Sequence, residues 1–249
     1  MVAPHRTTHT ATGGANGSGA KAPANAGAQP AALPAQNPSI EQMKTADWQE
    51  EFHQRRRLEA ARIPPRFSAK GLENFETGRN KMRKDLVHAA TMYISGFTLK
   101  GTNFPKGLLM SGPVGCGKSH LAVAMLKEII AKGYSGLYYN SPDLLRDIRA
   151  TFDNKNELTE DDLLEEVTST DLLVFDDIGA ERSSEFVLDR FYLIINERYE
   201  GCKPVIVTTN LNEIEMEDRL GKRIVSRLYE MCESFAKFPD EDWRRKGMR

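Results

Sequence analysis

The chain has 249 residues, 40% of them apolar and 28% charged, enough for one domain of ordinary size with a tail, or two small domains. Lysine and arginine number 34 against 35 acids, a net of −1, which excludes a wholly basic nucleic-acid binder and a strongly acidic disordered chain but leaves room for a local basic patch. The three cysteines, Cys116, Cys202 and Cys232, have neither framework nor metal-ligand spacing, and no apolar run approaches a membrane span, so a reduced cytoplasmic setting without a membrane is expected.

Residues 1–38 are mostly Ala, Gly, Pro, Thr and Asn, with Arg6 and Lys21 as their only formal charges. Such a segment buries too little apolar surface to offset its ordering entropy, and a disordered tail is expected. A transit peptide is the rival reading, but those are Arg-rich and amphipathic and this segment is not. Residues 39–62 are rich in helix formers, with Trp48 and Phe52 four apart on one face and Pro64-Pro65 as the stop. The run Arg55-Arg56-Arg57 fans around that helix among Glu50, Glu51 and Glu59, which favours a solvated face over a nucleic-acid handle.

From Gly107 strands and helices alternate. GLLMS (107–111) reads as a strand and 118–132 as a helix; GLYYN (136–140) is a second strand, followed by a helix capped by Ser141-Pro142. A short helical pattern covers 160–168, and DLLVFDD (171–177) is an apolar strand ending in acids. A helix over 183–199, the strand PVIVTTN (204–210), a helix over 219–232 and a last strand over 233–238 complete the series. Continuous apolar strands between helices predict an α/β fold, a parallel sheet sandwiched by helices in three layers.

Gly112-Pro113-Val114-Gly115-Cys116-Gly117-Lys118-Ser119 matches G-x-x-x-x-G-K-[ST], between an apolar strand and a helix. Glycines let the backbone wrap an anion so that N–H groups converge on phosphate oxygens, and the following helix adds its positive end. Lys118 supplies charge to the β- and γ-phosphates of ATP, Ser119 offers a hydroxyl to Mg²⁺, and His120 closes the nucleotide-binding span. Two carboxylates at a strand end are costly without a purpose. Beside a phosphate loop Asp176 is expected to hold Mg²⁺ through water, Asp177 to polarise the attacking water, and Asn210 to orient it. Cys116, beside Lys118 and the loop N–H groups, is expected to be the most reactive thiol and to be protected by ATP.

With these elements placed, the chain resembles AAA+ P-loop ATPases of the DnaC/IstB-like branch over about residues 62–246. The resemblance rests on IPPRF (63–67), GLLMSGPVGCGKSHLA (107–122), LLVFDDIGAE (172–181), INERY (195–199), VTTN (207–210) and RIVSRL (223–228). It implies an ATPase domain over 63–249, with 39–62 as a short helical partner-binding segment. It implies that Arg227, with Arg223 as a second candidate, reaches the γ-phosphate of a neighbouring subunit in a nucleotide-dependent homo-oligomer. Arg244 would sense that phosphate in cis, and Arg182, Ser184 and Phe186 would face single-stranded DNA. The implied function is loading of the replicative helicase; recruitment of a transposase is the alternative. The chain departs from many AAA+ enzymes in pairing Asp with Asp where they pair Asp with Glu. Only five residues follow Arg244, so no full helical lid domain is expected.

Overall fold

The computed structural model describes residues 46–100, 104–152, 158–181, 183–235 and 237–243. The tail 1–38, the start of the 39–62 segment, Arg182 and Arg244 lie outside the described residues. Five strands, β1 (Gly107–Ser111), β2 (Gly136–Asn140), β3 (Leu172–Asp176), β4 (Val205–Thr209) and β5 (Cys232–Ser234), form one parallel sheet in the order β2-β3-β4-β1-β5. Successive side chains of a strand point to opposite faces. Leu109, Leu137, Leu173, Phe175 and Val207 therefore pack on one side, and Leu108, Met110, Leu172, Val174 and Ile206 on the other. With both faces buried, the strands read as unbroken apolar runs.

One face is covered by α4 (Ser141–Ala150), α5 (Glu160–Ser169), α6 (Glu185–Glu200), α7 (Glu213–Leu220) and α8 (Lys222–Met231). The other is covered by α2 (Lys81–Gly96) and α3 (Lys118–Ala131), together with the end of α1 (Ala46–Ala60). Local chemistry fixes the helix starts. The Asn80 side chain accepts the Arg83 N–H, and Thr159/Asp162 and Asn212/Glu215 form reciprocal capping boxes. Arg198, fully buried in the INERY motif, bolts α6 to its neighbours. Its guanidinium donates to the carbonyls of Val167 (2.8 Å), Thr170 (3.0 Å) and Pro204 (2.6 Å), and burial pulls its pKa down to about 9.

Several boundaries differ from the sequence reading. The helix expected over 219–232 is two helices, broken where Gly221 takes φ 81°, and the last strand is three residues long and begins at Cys232. Ser141 does not cap α4 with its side chain; its hydroxyl turns back to the Asp177 carbonyl at 3.0 Å and to Glu181 at 2.5 Å. The stretch after α1 is built into the α/β unit. The Tyr138 N–H donates to the Ala61 carbonyl at 2.9 Å, along the outer side of edge strand β2, and Arg62 pairs with Glu166 at 2.8 Å while lying over the Tyr139 ring. Arg57 pairs with Glu50 at 2.7 Å, and the exposed Arg56 lies over the Phe52 ring. No helix among the described residues is long and apolar enough to cross a membrane.

Candidate functional site

Parallel strands bring their C-terminal ends to one edge of the sheet, and side chains at the ends of β2, β3 and β4 meet the loop that follows β1 there in a cleft of about 670 Å³. The loop after β1 turns into α3 through Gly117, whose φ of 108° favours glycine, and a Cβ there would lie 2.8 Å from the Phe75 ring. Gly115 (φ 80°) is under the same constraint. Lys118, at the first turn of α3, is 6% exposed. Its ammonium donates to the carbonyls of Gly112 (2.6 Å) and Pro113 (2.9 Å) and to Asn210 Oδ1 (2.7 Å). Burial lowers the Lys118 pKa, opposed by the nearby thiol and by Asp177 and Asp176.

Asn210, one residue past β4, hands its amide on: Nδ2 donates to Asp177 Oδ1 at 2.6 Å. A continuous line of hydrogen bonds thus runs from the loop lysine through Asn210 to the second acid. Asp176, at the end of β3, is 2% exposed, and both of its oxygens are engaged. Tyr138 Oη donates to Oδ2 at 2.7 Å and Thr208 Oγ1 to Oδ1 at 2.6 Å. Thr208 Oγ1 also accepts the Asp177 N–H at 2.9 Å, which helps to hold Asp177 at φ 56°, a left-handed conformation tolerated by Asp and Asn. Val114, Gly115, Gly117, Ser119 and His120 line the same cleft, and the half-buried His120 ring meets the Gly71 carbonyl at 2.9 Å.

A family model described as IstB-like ATP binding protein matches residues 41–237. The chain belongs to that family. It is 30% identical over 156 residues to the replicative helicase loader DnaC of Buchnera aphidicola subsp. Schizaphis graminum, covering 63% of this chain and 61% of the relative. It is 33% identical over 120 residues to the replicative helicase loader DnaC of Escherichia coli K12, covering 48% and 49%. The matches thus span about half to three fifths of these relatives' lengths. Among solved structures, a crystal structure of the DnaC helicase loader superposes with a TM-score of 0.61 at 29% identity, covering 69% of this chain and 98% of that one. The α/β sheet order, the phosphate loop and these matches place the chain in the DnaC/IstB-like branch of AAA+ P-loop proteins.

The remaining expected residues lie elsewhere. Arg227 stacks over the Tyr199 ring at 4.3 Å and Arg223 over Tyr192 at 5.5 Å, on the outer side of α6 and α8, and neither lines the cleft. Ser184 is the N-cap of α6 and accepts the Val187 N–H at 3.3 Å. Phe186 packs partly buried against the core, edge-on to the exposed Phe152 and beneath Arg190. Cys116 is wholly buried, 3.8 Å from the Lys118 ammonium, whereas Cys202 is exposed. Access therefore favours Cys202 as the first thiol to be labelled, against the expectation from sequence. Tyr138, Thr208, Arg83 and Trp243 went unassigned. Thr208 sits inside the quoted VTTN motif; the other three owe their places to packing that no local pattern announces.

Proposed function

We propose that the chain is an ATP-hydrolysing helicase loader, whose nucleotide-dependent homo-oligomer delivers a replicative helicase to single-stranded DNA. The observation that carries the ATPase reading is the line Lys118–Asn210–Asp177, joined by bonds of 2.7 and 2.6 Å. It sets a phosphate-neutralising ammonium, a water-orienting amide and a proton-accepting carboxylate along one cleft. Lys118 exchanges its bonds to the Gly112 and Pro113 carbonyls for bonds to phosphate oxygens. Asp177 takes the proton of the water that attacks the γ-phosphoryl group, the bond from the γ-phosphorus to the β–γ bridging oxygen breaks to release ADP, and Asn210 holds that water in line.

Mg²⁺ fits the oxygen donors present. Such a site uses one or two carboxylates and substrate phosphates and keeps several waters. A buried Asp176 whose oxygens already accept two hydroxyl bonds suits contact through water, and Ser119 lines the same cleft with its hydroxyl as a further donor atom for the ion. When bound, the ion supplies positive charge to the β- and γ-phosphates. Tyr138 and Thr208 would hold the Asp176 carboxylate in place for it.

Arg227 stands away from its own cleft, which suits a group acting on a neighbour's nucleotide. Roles for Arg244 in cis, and for Arg182, Ser184 and Phe186 at single-stranded DNA, rest on the resemblance alone. The loader reading is supported by similarity to proteins named replicative helicase loader DnaC. The partly exposed Trp48–Phe52 stack on α1, with ring centroids 5.2 Å apart, is the proposed helicase contact. Transposition helper is the second reading, favoured by the IstB-like family match. Affinity capture with the full chain, ATP and a hexameric replicative helicase tests the loader. Helicase should be retained by wild type and lost with Phe52→Ala; capture of a transposase and no helicase would replace the loader with the helper.

A further inference from the structure

The cleft has a second wall, made by residues 71–80, α2 and the described C-terminal residues, and its centre is a buried cation. Arg83, in the first turn of α2, is 3% exposed. Its guanidinium lies between two aromatic faces, 4.2 Å from the Phe75 ring centroid and 4.1 Å from that of Trp243. Its Nη1 donates to the Cys116 carbonyl at 2.9 Å and its Nε to the Glu76 carbonyl. One residue earlier in the loop, the Trp243 backbone N–H donates to the Gly115 carbonyl at 3.1 Å. Two consecutive carbonyls of the phosphate loop are therefore held by groups outside the phosphate-loop motif.

A trans peptide is planar, and its C=O and N–H point in opposite directions. Fixing the Gly115 carbonyl fixes the Cys116 N–H, and fixing the Cys116 carbonyl fixes the Gly117 N–H. Both N–H groups are turned away from Arg83 and Trp243. Anion nests depend on such alignment, because a single rotated peptide puts a carbonyl where a donor is needed. Neighbouring side chains pack closely on the loop glycines. A Cβ on Gly117 would meet the Phe75 ring, and one on Gly115 would lie 2.0 Å from Asp242.

We infer that Arg83 is a positioning residue for nucleotide binding: clamped between Phe75 and Trp243, it orients the peptides of Gly115 and Cys116 so that their N–H groups serve phosphate. The Trp243 N–H shares this task, so the affinity for nucleotide depends on the chain's C-terminal residues as well as on the motif. This rests on the ATP-binding reading of the cleft.

The test compares wild type, Lys118→Ala, Arg83→Met, Arg83→Lys and Trp243→Pro in the full chain. Binding of fluorescent ATP and ADP analogues and the melting temperature are measured for each, with KM and kcat where turnover is seen. Arg83→Met keeps the apolar stem and removes the donors; its dissociation constants should rise about tenfold or more, as expected for a lost charge-assisted hydrogen bond. KM should rise more than kcat falls. Arg83→Lys should recover part of the affinity through one donor to Cys116. Trp243→Pro removes both the N–H that holds the Gly115 carbonyl and the indole that covers Arg83, and should weaken ADP and ATP alike in a chain that still melts cooperatively. If Arg83→Met fails to fold, Trp243→Pro carries the test. Wild-type affinity in a folded Arg83→Met or in Trp243→Pro, with Lys118→Ala inactive in binding, overturns the clamp and leaves the ATP site standing. No nucleotide affinity in wild type overturns both.

Discussion

The strand-tip wall of the cleft carries Lys118, Asp176, Asp177, Thr208 and Asn210, and the opposite wall carries Arg83 and Trp243, with Phe75 buried behind Arg83. On the first, Asp176, Asp177, Thr208 and Asn210 sit at or just past the C-terminal ends of parallel strands, and Lys118 opens the helix that follows the loop after β1, so sheet topology brings them to one edge. On the second, a helix, a loop and the C-terminal residues meet only through tertiary packing. Chemistry that a fold rule places is written in contiguous motifs, whereas chemistry that packing places is scattered.

The largest effect separating the two walls should come from Lys118→Ala. The ammonium is the charge proposed to meet phosphate, and its oxygen partners in the protein are the carbonyls of Gly112 and Pro113 and Asn210 Oδ1. ATP binding should be abolished while the circular dichroism spectrum and melting temperature stay close to wild type. Isothermal titration with ATP and Mg²⁺ measures this, and near-normal affinity in the folded variant would remove the lysine from the site.

Asp177→Asn should act next in size, and on turnover instead of affinity. Asn tolerates the left-handed backbone at this position and still accepts from Asn210, so geometry is kept and only the basic charge is lost. Hydrolysis should fall about a hundredfold or more, the range for a general base, with nucleotide binding retained. A phosphate-release assay reads it; unchanged turnover would mean that another group takes the proton.

What was legible follows the same division. Strands β1 to β4 were readable to within a residue because both sheet faces bury them and the apolar runs end at acids or small polar residues. The phosphate loop was readable because few residue types satisfy its backbone. Helix α2 carried a weaker signal: its inward face is Arg83, Leu86, Ala90 and Ile94, so a cation and an alanine stand where a core stripe would be apolar. The break at Gly221 was hidden because glycine in a helical run is tolerated, and only packing shows that its φ leaves the helix. The Cys116 environment was read from charge alone. Its total burial comes from a core cluster that includes Phe238, far along the chain.

A smaller effect should follow Tyr138→Phe, which tests the support under the strand-tip wall. The hydroxyl bonds one oxygen of the buried Asp176, while Thr208 keeps the other. Loss of a hydrogen bond to a charged group costs about 1.5–3 kcal/mol, and the ring still fills its place between the sheet and Phe67. Chemical denaturation should show that loss with an unchanged m-value, and the Mg²⁺ concentration for half-maximal hydrolysis should rise. Wild-type stability and Mg²⁺ dependence together would show that Thr208 alone suffices to orient Asp176.

The smallest effect on a single chain should come from Arg227→Ala, and that smallness is its content. Arg227 covers the Tyr199 ring on the α6–α8 side and does not line its own cleft, so an isolated protomer should bind ATP as wild type does. A cation–π contact at a half-exposed site is worth about 0.5–1 kcal/mol, so the melting temperature should move little. In an oligomer the same guanidinium is proposed to face the neighbour's γ-phosphate, where positive charge stabilises the transition state. DNA-stimulated hydrolysis should then vanish in Arg227→Ala alone. Mixing it with Lys118→Ala should restore part of it, because one subunit then supplies the nucleotide site and the other the arginine. An arginine acting in cis cannot be complemented in this way, and activity that stays absent across all mixing ratios would place Arg227 outside any shared site.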